Sequence, residues 1–181
     1  MHKFAAASEN ESIVFGAARP GYRDAEVARW IEFMQGHHIK QVCCLLPDSQ
    51  LIRYRDLLGT YRDIFGGDRV CWAPVADFEL VDRDILLDRI LPFLASANSK
   101  GDRVVVHCSG GIGRTGQVLA AWLVGARGLS NQQAIAAVKK TGRNPYEAVF
   151  AALFKGRNPW KVDRELNALL DDCRLASRND I

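Results

Sequence analysis

Ten consecutive residues, His107-Cys108-Ser109-Gly110-Gly111-Ile112-Gly113-Arg114-Thr115-Gly116, confine the possible folds of this chain more than any other feature. They lie between an apolar β-branched run, Val104-Val105-Val106, and a helical pattern, Gln117-Val118-Leu119-Ala120-Ala121-Trp122-Leu123-Val124. Valine runs favour a pleated strand, and the switch to helical spacing predicts a strand, a tight loop and a helix in direct succession. The strand ends at Cys108, and the helix begins at or near Arg114. Gly110, Gly111 and Gly113 allow positive φ and a close backbone approach. The N–H groups of such a loop converge above the helix N-terminus, where the macrodipole favours an anion.

The residue types fit one chemistry. Thiols at helix N-termini beside a cation titrate at roughly 3.5–7.5 rather than about 8.5, and the thiolate is the nucleophile. Cys108 sits at the rim of the anion hole. Arg114 offers a planar fork that holds two oxygens of a phosphoryl group bidentately. Ser109, Gly110, Gly111, Ile112 and Gly113 frame the anion. Thr115 supplies a hydroxyl under Cys108, useful to the thiolate and to the thiol as leaving group. His107 ends the strand, and one ring nitrogen can fix the loop through a backbone hydrogen bond. Buried cysteines often only pack, but neither packing nor sulfur transfer explains Arg114 and Thr115 together.

This segment resembles the Cys-x5-Arg loop of the protein tyrosine and dual-specificity phosphatases, in the longer form His-Cys-x-x-Gly-x-x-Arg-Thr-Gly. The resemblance implies Cys108 as nucleophile, a cysteinyl-phosphate intermediate and no metal or other cofactor. The stretch Val70-Cys71-Trp72-Ala73-Pro74-Val75-Ala76-Asp77-Phe78-Glu79-Leu80 looks like the segment carrying the catalytic aspartate in these enzymes. Asp77 then takes the general-acid role and later serves as base for the hydrolytic water. The Trp-Pro-Asp form is absent, which favours a compact, dual-specificity-like branch. Asp82, before an apolar pattern, reads as a helix N-cap and is the alternative acid; for Asp77 itself the alternative is a turn residue bonding its own backbone. No glutamine follows the loop at the distance usual for positioning that water. Gly142-Arg143-Asn144-Pro145-Tyr146 recurs as Gly156-Arg157-Asn158-Pro159-Trp160 and reads as helix-ending turns, with Arg143 and Asn144 on the site rim as the alternative. Arg19, after the first strand, is either a turn residue or a contact for a second anionic group.

Along the chain, strands are predicted over residues 12–15, 42–46, 69–72 and 103–106. Helices are predicted over 25–35 (capped by Asp24), 48–58 with a second short helical turn ending near Gly66-Gly67, 82–94, 114–126, 130–140, 147–154 and 163–175, with Ser130 as a cap and Pro92 bending a last turn. The alternation predicts an α/β fold: one domain with a central, mostly parallel sheet flanked by helices and a phosphatase-type phosphate-binding loop between strand and helix. The expected organisation is one phosphatase catalytic domain over 1–181, with a core of about 12–155 and a C-terminal helical extension of about 156–181. The ligand is expected beyond the carboxyl ends of the strands.

At 181 residues and 48% hydrophobic content the chain suffices for one sizeable core. Net charge is only +3, from 24 basic and 21 acidic residues, which leaves no nucleic-acid or membrane footprint. No apolar run approaches the roughly 20 residues of a bilayer span. Five cysteines without paired metal spacing, and no basic-then-apolar leader, read as a reducing, cytoplasmic setting. The variable loop positions carry no charge, unlike the lysine-bearing loops of lipid-phosphate relatives. The resemblance therefore implies a protein phosphatase acting on phosphotyrosine, with phosphoserine and phosphothreonine also considered, and phosphorylated proteins or peptides as partners. An inositol-phosphate or other small-molecule phosphomonoesterase is the alternative, favoured if Arg19, Lys139, Lys140 and Arg143 ring the pocket. A phosphate-binding module without turnover is the third reading, against which intact Cys108, Arg114 and Asp77 speak.

Overall fold

Alternation along the strands divides the core in two. In a computed structural model, which describes residues 2–179, Val104 and Val106 pack on one sheet face and Val105 on the other. The strands are β1 (Ala5–Ala6), β2 (Val14–Ala18), β3 (Ile39–Cys44), β4 (Val70–Trp72) and β5 (Arg103–Cys108), in the order β1-β2-β5-β3-β4. β1 runs antiparallel to β2, and the remaining pairs are parallel. The result is one α/β domain with a mostly parallel sheet. β5 is central and buried on both faces, which is why it reads as an unbroken apolar run.

Helix α1 (Asp24–Gly36) buries Val27, Trp30, Ile31 and Met34, and α3 (Leu57–Phe65) buries Leu57, Tyr61 and Phe65, on the Val105 face. The other face carries α5 (Leu91–Lys100), α6 (Gly113–Arg127), α7 (Asn131–Lys140) and α9 (Pro159–Asn179). α6 is covered on all sides and is buried from Gly113 through Val124. α9 lies along it, with Leu166, Leu170 and Cys173 fully buried. α8 (Glu147–Phe154) connects these layers to the loop edge.

Several elements depart from the sequence reading. The helix expected over 48–58 stops early, as α2 (Asp48–Leu51), and the short helical turn expected to end near Gly66-Gly67 is the longer α3, which starts at Leu57 because Asp56 leaves helical geometry and accepts from Gly59 N at 2.8 Å. Asp24 is the first helical residue rather than the cap; the chain turns at Arg23, whose N donates to Glu26 Oε2. The helix expected over 82–94 starts as α4 (Arg83–Ile85), widens into a π turn (Leu86–Ile90) and continues as α5 to Gly101 at φ 67°. The wide turn accommodates Pro92, which lacks an N–H, so the helix persists. β1, two residues long, carries too little pattern to be read. Ser130 caps α7 as expected, in a reciprocal box with Gln133. No helix of the described residues is long and apolar enough to cross a membrane.

Candidate active site

Parallel strands place their carboxyl ends on one edge, and the loops leaving β2, β3, β4 and β5 gather there. Cys108, 2% exposed, ends β5 at the centre of that edge. The following loop is held tightly from the β2 side: Arg19 N donates to Cys108 O at 2.9 Å. Gly111 sits at φ 66°, and a Cβ there would lie 2.5 Å from the Ala17 carbonyl and Ala18 N. Only glycine fits both the left-handed backbone and that approach. Ile112 stands at the N-terminus of α6, and its O accepts from Gly116 N and Asn144 N. The N–H groups of Ser109, Gly110, Gly111 and Ile112 donate to no protein acceptor among the described residues. Four free donors at a helix N-terminus suit an anion.

Arg114 is 2% exposed and joins this loop to the one after β4. Its Nη1 donates to Val75 O at 2.8 Å, and its Nη2 to Ser109 Oγ at 2.7 Å. Nη2 also lies 2.9 Å from Asp77 Oδ1. Thr115 Oγ1 donates to Cys108 Sγ at 3.1 Å from below, as its position in the first turn of α6 dictates. The structure therefore brings Cys108, Ser109, Arg114, Thr115 and Asp77 together. A thiol under a guanidinium fork and free N–H groups can attack the central atom of an oxyanion. A carboxyl beside it can exchange a proton with a departing or arriving oxygen.

The loop carrying Asp77 is anchored at both ends by α6. Arg114 grips Val75, while Gln117 accepts from Val81 N at 2.9 Å and donates to Glu79 O. Phe78, beside Asp77, is in the left-handed region at φ 60°. Lys155 donates to Asp77 O and pairs with Glu79, which Arg157 also engages. These two cations hold the Glu79 carboxyl below its usual range, the Lys155 hydrogen bond first. Asp82, the alternative acid, instead caps α4, its Oδ1 accepting from Asp84 N and Ile85 N.

Gln50, which the sequence reading passed over, donates to Asp77 Oδ2 at 3.2 Å. Its Oε1 is buried without a hydrogen-bond partner among the described residues. The two residues are 27 apart in sequence, Gln50 in α2 after β3 and Asp77 in the loop after the neighbouring β4, and no local pattern links them. Sequence spacing places Gln117 in a helix and carries no sign of its contacts with Val81 and Glu79. His107 lies with Nε2 3.3 Å from the Tyr61 hydroxyl, against Trp30, and its ring also faces the Cys108 backbone. Burial pulls this imidazole down to about 3; the Cys108 backbone opposes, and the Arg114 and Arg19 charges lower it further. Cys44, beside it on β3, has its thiol pushed up by burial to about 12.

Arg143 does not line the rim. It is buried beneath β2, with Nη2 donating to Gly16 O at 2.7 Å and to Lys3 O. Asn144 touches the loop from behind, through its backbone N. Of the four cations considered for a polyanion pocket, Lys139 lies over the Tyr146 ring and Lys140 beside the Glu11–Arg127 pair, so only Arg19 borders the loop. Among the described residues no three His, Cys, Asp or Glu side chains gather as a metal site requires.

The family model described as dual specificity phosphatase, catalytic domain, matches residues 32–150. Among solved structures, Tk-PTP in its active form is similar at 25% identity and TM-score 0.65, covering 87% of this chain and 93% of that one. PTPMT1 in complex with PI(5)P is similar at 15% identity and TM-score 0.67, covering 94% and 96%. TpbA from P. aeruginosa is similar at 22% identity and TM-score 0.56, covering 92% and 86%. The latter two likenesses establish the fold.

Proposed function

Because this chain belongs to the dual specificity phosphatase family, hydrolases of phosphate monoesters, we propose that it is a metal-independent protein phosphatase acting on phosphotyrosine, with phosphoserine and phosphothreonine as secondary substrates. The observation that carries the reading is the buried Arg114 guanidinium, which joins Ser109 of the loop to Asp77.

In the first step the Cys108 thiolate attacks phosphorus; a P–S bond forms and the P–O ester bond breaks. Arg114 and the loop N–H groups hold the equatorial oxygens, and Asp77 gives its proton to the departing oxygen. In the second step Asp77 takes a proton from water, which attacks phosphorus and expels the Cys108 thiolate, releasing phosphate. The Thr115 hydroxyl stabilises the thiolate at both ends of the cycle. The uncharged loop and the burial of Arg143 favour a peptide phosphoryl group over an inositol polyphosphate. Similarity to PTPMT1, solved with PI(5)P, keeps the small-molecule reading in the test.

Phosphate release is measured in EDTA from phosphotyrosine, phosphoserine and phosphothreonine peptides, inositol phosphates and a phosphoinositide, with Cys108→Ser alongside. Peptide turnover lost in Cys108→Ser supports the reading. Activity confined to inositol phosphates or the phosphoinositide overturns it in favour of the alternative. No turnover, with phosphate binding retained, favours the binding module. Asp77→Asn is expected to slow poor leaving groups far more than activated aryl esters; intact phosphotyrosine turnover refutes the acid assignment.

A further inference from the structure

β2 and β3 flank β5, so the loops after them meet beside the loop that follows Cys108. Tyr54 closes that junction, its hydroxyl donating to Pro20 O at 2.9 Å and accepting from Arg19 Nη1 at 3.0 Å. The Arg19 guanidinium lies 3.7 Å from the Tyr22 ring centroid, and that of Arg53 lies 3.9 Å from the same centroid. At such heights an aromatic face has room for one guanidinium, so the two cations clasp the ring from opposite sides. Each gains from the ring quadrupole, yet two like charges are thereby held close together.

No carboxylate offsets them. Among the described residues neither Arg19 nor Arg53 forms an ion pair, and the nearby acids are engaged elsewhere: Glu26 with Arg23 and Asp24 with Arg55, both at 3.9 Å. Arg53 is exposed and Arg19 half-buried. The pair is anchored to the phosphate loop through Arg19 N, which donates to Cys108 O. The Arg19 charge is felt at His107, inside the site.

We propose that Arg19 and Arg53, clasping Tyr22, form an anion subsite at the rim of the phosphate loop. It binds a second acidic group, carboxylate or phosphate, on a residue flanking the phosphorylated one in a peptide substrate. Arg19 Nη1 is taken up by Pro20 O at 2.8 Å and by Tyr54, which fixes that guanidinium, and the remaining N–H groups of the two guanidinium groups suit planar or tetrahedral oxyanions. This assignment rests on the protein phosphatase reading and adds to it a sequence preference.

The test compares two phosphotyrosine peptides that differ only in flanking residues, glutamates against glutamines. The wild-type kcat/KM ratio is expected to favour the acidic peptide about tenfold, equivalent to about 1.4 kcal/mol, mostly through KM. The ratio should fall as ionic strength rises. Arg53→Gln and Arg19→Gln should each bring it toward one, Arg53→Glu below one, and Arg53→Lys should keep part of it. A wild-type ratio near one, or a ratio unmoved by Arg53→Gln and Arg53→Glu, overturns the subsite. Should the protein hydrolyse an aryl phosphate but neither peptide, the protein phosphatase reading falls. The same peptides then serve as competitors of the aryl ester, and equal inhibition constants overturn the subsite separately.

Discussion

His107 offers a test of the site's buried architecture that needs no substrate. Its imidazole is enclosed by Trp30, Tyr61 and the end of β5, and burial lowers its pKa to about 3. In the unfolded chain it titrates near its ordinary value of about 6.5. Below that pH the unfolded state binds a proton that the folded state refuses, so stability falls with falling pH until about pH 3. For one such histidine the loss is negligible at pH 7.5 and about 1.4 kcal/mol at pH 5.5. For a domain this size that lowers Tm by roughly 3–6 °C. Lowered carboxyls such as those of Glu11 and Asp102 contribute with the same sign only near and below their ordinary values of 4.5 and 3.8. His2, also lowered by burial, acts in the same window and remains in both proteins compared. Urea unfolding of wild type and His107→Gln at pH 7.5 and 5.5 isolates the term. Wild type should lose about 1.4 kcal/mol more than the variant between the two pH values. Equal losses in both would refute the claim that the His107 imidazole is buried in its neutral form.

Other outcomes follow from single contacts. Gln50→Leu should slow phosphotyrosine turnover about tenfold while affecting an activated aryl ester less, because only the former would need the acid proposed for Asp77; equal slowing of both would refute that link. Thr115→Val should lower kcat roughly 10- to 100-fold with KM little changed, since the hydroxyl meets the sulfur, and unchanged kcat would remove it from the chemistry. Arg143→Met should cost about 2–4 kcal/mol in denaturant unfolding by orphaning the Gly16 and Lys3 carbonyls; a loss below half a kilocalorie would show that water replaces it.

Local signals carried far. The phosphate loop was legible because strand, glycines and helix lie within two dozen residues, and Ser130 because its cap needs only Gln133. The place of Asp77 beside Arg114 is anticipated by the Pro74 loop. What escaped depends on partners distant in sequence. Gln50 meets Asp77 across neighbouring strand ends, and Arg143 is drawn inward by carbonyls more than a hundred residues away. Its twin motif at Arg157 faces the surface and pairs with Glu79 and Glu165. Identical pentapeptide beginnings thus reach opposite environments, and tertiary context alone separates them. The break between the two helices falls before Leu57 rather than near Leu58, because the Asp56 side chain turns to cap the next helix while helical spacing continues across it.

The contact between Arg114 and Asp77 makes the resting site its own tethered competitor. A carboxylate held 2.9 Å from the guanidinium occupies, at high effective concentration, a donor that the proposed phosphate ligand would need. Every tetrahedral anion must displace it, so measured affinities for phosphate or vanadate carry a built-in discount. Neutralising the tether in Asp77→Asn lifts that discount, and such a protein should trap ligands more tightly than the wild type while turning them over more slowly. Under the proposed mechanism the same displacement, run backwards, would help to release phosphate as the carboxylate returns to Arg114.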